Sequence, residues 1–148
     1  MMRSTTRSFV IVLTAASAVL AACGQEAAEA APNAEAVTAV EIDGSDRMRL
    51  TLSEQAAERL GIVTEVVTED PVSGHLIIPY SALMYDASGL TWTYTSPEGL
   101  VFIRERVEVD SVDGDIARLT AGPEVDTLVV TIGAAELWGA ETGVGGGH

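Results

Sequence analysis

Cysteine, histidine and lysine are nearly absent from this sequence of 148 residues, which has one cysteine, two histidines and no lysine. A single thiol cannot form a disulfide within the chain, so the folded part must be held together by packing. The histidines, His75 and His148, lie far apart in the sequence. Metal sites gather several nitrogen or sulfur ligands at set spacings, so we interpret each histidine as a lone polar side chain and expect no metal or cofactor.

Motifs that carry catalytic chemistry are also lacking. The sequence has no glycine-rich phosphate loop, no paired-cysteine metal site and no nucleophile elbow. Serine, histidine and aspartate occur, but a catalytic triad is defined by its geometry and not by the presence of these residue types. We therefore expect a non-catalytic protein and not an enzyme.

Positive charge is scarce, with eight basic against 22 acidic residues and a formal net charge of −14. This balance excludes nucleic acid as a natural partner, because phosphate binding depends on clustered lysine and arginine. The absence of a basic patch also disfavours adsorption to anionic lipid headgroups. We interpret the acidic excess as a well-solvated exported surface. The alternative is an acidic cation-binding site.

Residues 1–22 are typical of an export signal, because Arg3 and Arg7 precede an apolar run over 9–20 and then small residues. That run is too short for a membrane-spanning helix, which needs about 20 residues. The sequence Leu20-Ala21-Ala22-Cys23 resembles the lipobox of bacterial lipoproteins, in which the cysteine sulfur receives a diacylglycerol and becomes the new amino terminus. The resemblance implies a lipid anchor at Cys23 on the extracytoplasmic face of a bacterial membrane. The alternative is an ordinary secretory signal with Cys23 an incidental thiol.

The rest of the chain divides into three parts. Residues 23–39 are rich in alanine and glutamate and have no apolar period, which predicts a lipidated cysteine followed by a flexible tether. Residues 40–142 are enough for one small core and predict a single folded domain. Residues 143–148, "GVGGGH", predict a disordered tail.

One helix is predicted. Thr51 and Glu54 form a candidate capping box, and Gly61 is the predicted stop. The apolar positions of this segment recur at helical spacing: Leu52, Ala56 and Leu60.

The other predicted elements are strands, at 62–68, 75–79, 91–95, 100–110, 116–120 and 127–133. Asp113-Gly114 lies between two alternating runs and predicts a tight hairpin with positive φ. Within 100–110, Val107 and Val109 should face one way, with Glu108 and Asp110 facing out. The expected fold class is mainly β, a small antiparallel β-barrel or sandwich-like domain with one short α-helix.

From Leu52 onward the order of segments is similar to the carboxy-terminal, membrane-proximal half of the periplasmic adaptor subunits of RND-type efflux transporters, the membrane fusion protein family. Residues 78–82, "IPYSA", match an element that opens a strand in that family. The family's "G...VVT.GA.EL" ending is matched by Gly122, Val129, Val130, Thr131, Gly133, Ala134, Glu136 and Leu137. The resemblance covers roughly two thirds of the chain.

The resemblance implies a membrane-anchored accessory protein that binds an inner-membrane efflux transporter or permease. Full adaptors also carry two lipoyl half-motifs around a long helical hairpin, and the sequence before Leu52 is too short for either. A role in bridging to an outer-membrane channel is therefore not expected. The alternative function is that of a stand-alone lipoprotein that binds a small ligand or cation.

Aromatic and arginine side chains are the residue types best suited to an interface, and the segments that resemble the adaptors nominate Tyr85, Arg104, Arg106 and Trp138. Trp138 is equally suited to capping the core. The two arginines alternate on one strand and are expected to make surface ion pairs, with a docking role left open. Trp92 and Tyr94 share a strand face, which favours core packing over a binding face.

Overall fold

A computed structural model describes residues 36–143 of the chain. The strands are β1 (Val37–Glu41), β2 (Met48–Leu52), β3 (Val63–Val66), β4 (Thr68–Glu69), β5 (Leu76–Pro79), β6 (Met84–Tyr85), β7 (Thr91–Glu98), β8 (Val101–Arg106), β9 (Glu108–Asp113), β10 (Ile116–Ala121) and β11 (Leu128–Ile132). The helices are α1 (Glu54–Leu60) and α2 (Ala134–Thr142), and a 3₁₀ turn spans Tyr80–Ala82.

The strands form two antiparallel sheets. The larger sheet has the order β1-β2-β8-β7-β11-β3, and the short strand β6 also pairs with β7. The smaller sheet has the order β4-β5-β10-β9. Neither sheet closes into a barrel within residues 36–143, so the sandwich-like form of the predicted fold class is the one confirmed.

Two apolar cores lie on the two faces of the larger sheet. The first packs that sheet against both helices and includes Leu50, Tyr94, Phe102 and Leu137. The second packs it against the smaller sheet and includes Ile78, Val107, Leu119 and Val129. Consecutive residues of β11, Val129 and Val130, belong to different cores because successive side chains of a strand point to opposite faces.

The chain passes from one sheet to the other at Val107, inside the segment predicted as one strand over 100–110. Val107 is buried, its N–H donates to the carbonyl of Thr91 at 3.0 Å and its own carbonyl accepts from the Thr91 hydroxyl at 2.7 Å. These bonds hold the chain where β8 ends and β9 begins. The expected alternation is confirmed, because Val107 and Val109 pack in the second core while Glu108 and Asp110 are exposed.

Helix α1 is confirmed, but its predicted cap is wrong. Ser53 is the amino-terminal cap, and its hydroxyl accepts from the N–H of Ala56 at 3.2 Å. Thr51 lies in β2 opposite Val101, so its side chain cannot cap the helix. Gly61 ends the helix as predicted, with a φ of 62° that favours glycine.

The predicted hairpin is confirmed. Asp113 pairs with Ile116 across a two-residue loop, and Gly114 has a φ of 60°. Strands β1, β2 and β6 and helix α2 were not predicted, and Leu52, which was assigned to the predicted helix, lies in β2. The strand predicted over 62–68 is divided into β3 and β4, which belong to different sheets. Residues 37–39, assigned to the tether, lie in β1, and the carboxy-terminal part of the domain forms a second helix, α2. Residues 144–148 of the predicted tail lie outside the described residues.

Candidate docking surface

The predicted lipid site cannot be compared with the structure, because Cys23 and residues 1–35 lie outside the described part of the chain. Within residues 36–143, no group of three or more histidine, cysteine, aspartate or glutamate side chains is arranged to hold a metal ion. Nδ1 of His75 lies 3.8 Å from Oδ2 of Asp110. No helix in this range is long and apolar enough to cross a membrane.

Arg104 is the first of the nominated residues, and its predicted surface position is wrong. It is 8 % exposed, on the helix-covered face of β8. Its guanidinium carbon lies 4.2 Å from the ring centroid of Trp92 and 4.9 Å from that of Trp138. An arginine in contact with two indole rings gains cation–π attraction from both, and this attraction is stronger when the charge is shielded from water.

Glu141 on α2 is the buried counter-ion of Arg104. Its Oε1 accepts from Arg104 Nε at 3.2 Å and from the N–H of Met48 at 3.3 Å, while its Oε2 accepts from the Tyr94 hydroxyl. A buried carboxylate requires this degree of pairing, because its desolvation is costly. One side chain therefore connects α2 to β2, β7 and β8.

Tyr94 is fully buried beside this carboxylate. Burial, and then the hydrogen bond to Glu141 and its negative charge, raise the pKa of the Tyr94 hydroxyl well above its usual range. Tyr94 therefore remains a neutral donor to Glu141 at physiological pH.

Trp92 extends the cluster to the loop between β6 and β7. Its indole N–H donates to Asp86 Oδ2 at 3.0 Å, and Asp86 Oδ1 accepts from the N–H groups of Ser88 and Leu90 at 2.8 and 2.9 Å. The hydrogen bond from Trp92 is the main reason that the pKa of Asp86 lies below its usual value. The loop and the indole are thereby fixed to each other.

Trp138 has the core-capping role, one of the two that the sequence left open, and it is also partly exposed. It is half-buried, packs against the first core and covers Arg104. It also lines a shallow groove together with Tyr85, Met84 and Ala135. Its core role is therefore shown, and one part of it remains available at the surface.

Tyr85 is 56 % exposed and stands at the other side of this groove, and the nearby Tyr80 is 45 % exposed. Partial burial, and then the neighbouring Tyr80, raise the pKa of the Tyr85 hydroxyl. Two exposed tyrosines close to a half-buried tryptophan form an aromatic patch, and aromatic side chains are enriched at protein interfaces.

Arg106 is exposed, as expected, but it makes no ion pair among the described residues. It lies directly across from Trp92, which in turn lies across from Met84. Neighbouring strands are about 4.8 Å apart, so Arg106 is about 10 Å from Met84 across the sheet. We call Tyr80, Tyr85, Arg106 and Trp138 the aromatic surface.

Glu141 is the residue that sequence reasoning missed. A signal for it exists, because Trp138 and Glu141 are three residues apart and share one face of a helix. That signal is visible only once 134–142 is recognised as helical. The pairing partners Arg104 and Glu141 are 37 residues apart, and nothing in the sequence links them.

The aromatic surface offers apolar rings, hydroxyl groups and one guanidinium that makes no ion pair among residues 36–143, which are groups typical of protein interfaces. Comparison of the chain with protein-family models, with curated proteins and with solved structures gave no match.

Proposed function

We propose that this chain is a non-catalytic, adaptor-like accessory protein, anchored by lipid at Cys23 to the extracytoplasmic face of a bacterial membrane, that docks to an integral membrane efflux transporter. The single observation that carries the docking part is the aromatic surface. Exposed Tyr85 and half-buried Trp138 line one groove, and Arg106, which makes no ion pair among residues 36–143, lies two strands from Met84 of that groove, in a protein with few aromatic residues and few cations.

The base beneath this surface supports the proposal. Trp138 rests on Arg104, which is paired with Glu141, and Trp92 is bonded to Asp86. Surfaces that are held rigid before binding lose less conformational entropy when the partner arrives. The cluster therefore favours binding by keeping Trp138 and the β6–β7 loop in place.

The anchor supports the same function through effective concentration. If the leader is removed, the remaining net charge is −16, because Arg3 and Arg7 are lost while all 22 acidic residues remain. Such a chain has little attraction for anionic lipid and needs a covalent anchor to remain at a membrane. A lipid-held domain meets membrane proteins far more often than a free one does.

The test is site-specific photo-crosslinking in cells that express the full chain. A photoreactive residue is placed at position 85, at 106 or at 49. Arg49 is the control, because it is exposed, makes no ion pair among residues 36–143 and lies in β2, separated from β6 by β7 and β8. We expect positions 85 and 106, and not 49, to crosslink to the same integral membrane transporter, identified by mass spectrometry.

The substitutions Tyr85→Ala and Arg106→Glu complete the test, with Arg49→Glu as the matched charge control. All three positions are exposed, so each variant should keep its stability to within about 0.5 kcal/mol. The first two should lower recovery of the partner, and the control should not. Equal crosslinking from all three positions, or full recovery with both surface variants, would mean that the aromatic surface is not the contact.

A further inference from the structure

A second surface feature lies away from the aromatic surface, between β1, α1 and α2. It is an apolar groove of about 540 Å³ whose walls include Val37, Ala56, Leu60, Leu137 and Ala140. Ligand sites in proteins are commonly of this size and are lined mostly by apolar side chains with a few polar groups. The groove thus has the dimensions and lining of a site for a small apolar ligand.

Gly139 lines the groove in the middle of α2 and has no structural requirement to be glycine. Its φ is not positive, and a Cβ added there would meet no atom within 4 Å. Glycine is a poorer helix former than alanine because it loses more backbone entropy on folding. Since neither packing nor backbone geometry needs glycine here, its effect on the structure is to leave the groove open.

Two charges of opposite sign border the groove. Arg59 of α1 and Glu136 of α2 both line it, both are exposed, and neither makes an ion pair among residues 36–143. The acidic excess of the whole chain disfavours ligands with a net negative charge. A ligand that suits this site has an apolar chain and a head that carries both a negative and a positive group.

We propose that this groove binds a single-chain zwitterionic phospholipid. Its acyl chain lies against the apolar walls, its phosphate pairs with Arg59 and its ammonium group pairs with Glu136. A fatty acid would satisfy only Arg59 and an alkylammonium only Glu136. This ligand site is separate from the aromatic surface, so the proposal does not depend on a transporter binding at the aromatic surface.

The experiment uses the full chain in the cells that express it. Cells are given lysophosphatidylcholine with a photoreactive group in its acyl chain and are irradiated, and adducts on the purified protein are mapped by mass spectrometry. We expect adducts on the groove walls in α1 and α2. Excess unlabelled lysophosphatidylcholine should remove them, whereas laurate and dodecyltrimethylammonium at the same concentration should each compete about tenfold less well.

Variants of the groove give the decisive comparison. Gly139→Leu fills the groove and should lower adduct yield by about tenfold, whereas Gly139→Ala, with one added methyl, is the matched control and should keep most of it. Arg59→Glu and Glu136→Lys should each lower the yield, and Arg106→Glu on the other surface should not. Urea unfolding checks that each variant is folded, and Ala140→Leu replaces Gly139→Leu if that variant unfolds.

Four results would overturn the proposal. The first is an unchanged adduct yield when the groove is filled, and the second is equal competition by a singly charged amphiphile. The third is an absence of groove adducts in the wild type, which would mean that the site takes no such lipid or is covered by another part of this chain. The fourth is labelling that begins only with Cys23→Ser, which would identify the occupant as the acyl chain on Cys23.

Discussion

Arg104 brings a permanent positive charge into the apolar side of the larger sheet, and four side chains compensate it. Glu141 accepts from its Nε, and the exposed Asp46 lies 3.6 Å from its Nη2. The rings of Trp92 and Trp138 both contact the guanidinium. Of the two carboxylates, Glu141 is buried and Asp46 is exposed. Solvent screens the contribution of Asp46, so Glu141 is the residue on which the cluster depends.

Glu141→Ala is expected to destabilise the domain by about 3–5 kcal/mol, because it leaves Arg104 buried without its counter-ion. It also leaves the Tyr94 hydroxyl and the Met48 N–H without an acceptor. The measurement is urea unfolding followed by tryptophan fluorescence. Asp46→Ala, which removes an exposed partner, is the control and should cost less than about 1 kcal/mol. Similar losses in the two variants would contradict this assignment.

Tyr94 should make the domain sensitive to alkali. The pKa of its hydroxyl is raised in the folded state, so the stability that the neutral form provides is complete below the unfolded pKa of about 10. Above that pH the unfolded chain loses the proton first, and the free energy of unfolding falls. Urea titrations at pH values from neutral to above pH 10 measure how steeply the free energy of unfolding falls with pH. Tyr94→Phe should be less stable at neutral pH but should show a shallower alkaline decline, and an equal slope would be the contrary result.

At the scale of elements, the fold depends on where strands and helices meet. β11 is followed at once by α2, and Gly133 makes the connection with a φ of 94°. A Cβ at this position would lie 2.2 Å from Ile62 Cδ1. The positive φ of Gly133 and its closeness to Ile62 both require glycine. This turn places α2 against the first core.

Gly133→Ala is therefore expected to destabilise the domain by about 1–3 kcal/mol through backbone strain, with further cost from displacement of Ile62. Gly139→Ala in the same region is the opposite case and should stabilise α2 by about 0.5–1 kcal/mol. Thermal unfolding of both variants gives the comparison. A neutral effect at Gly133 would show that the connection can relax.

The elements that sequence reasoning found are those with local signals. Helix α1 has an apolar period and Gly61, and the β9–β10 hairpin has Asp113-Gly114. The break at Val107 has no local signal, because it depends on contacts with Thr91 in another strand. Helix α2 was missed because alanine and Gly139 give it little amphipathic pattern, and β1 was missed because its exposed residues resemble a tether.

At the scale of the whole molecule, the antiparallel sandwich-like class could be predicted and the surface could not. Strand alternation identifies a buried face, but it does not distinguish Arg104 beneath two indoles from Arg106 in solvent. These arginines occupy one face of the same strand. What separates them is the position of α2, a long-range contact that only the folded chain reveals.

Attachment to a membrane through Cys23 is the whole-molecule property that the proposed function requires. Cys23→Ser should abolish lipid attachment, so the variant should appear as an uncleaved precursor or in the soluble fraction. Membrane fractionation with intact-mass spectrometry of the mature chain is the measurement. Cys23→Ser protein that stays with membranes in the wild-type processed form would show that Cys23 is not the anchor.

The position of Glu141 affects the order in which the chain folds. Helix α2 follows all eleven described strands, and it carries the counter-ion of Arg104 and part of the first core. A chain that emerges from a ribosome or a translocation pore with its amino end first lacks both Glu141 and the α2 part of the first core until α2 appears. Premature folding is thus disfavoured by an unpaired guanidinium and an uncovered sheet. The domain should therefore remain unfolded until α2 is released, and then fold as one unit.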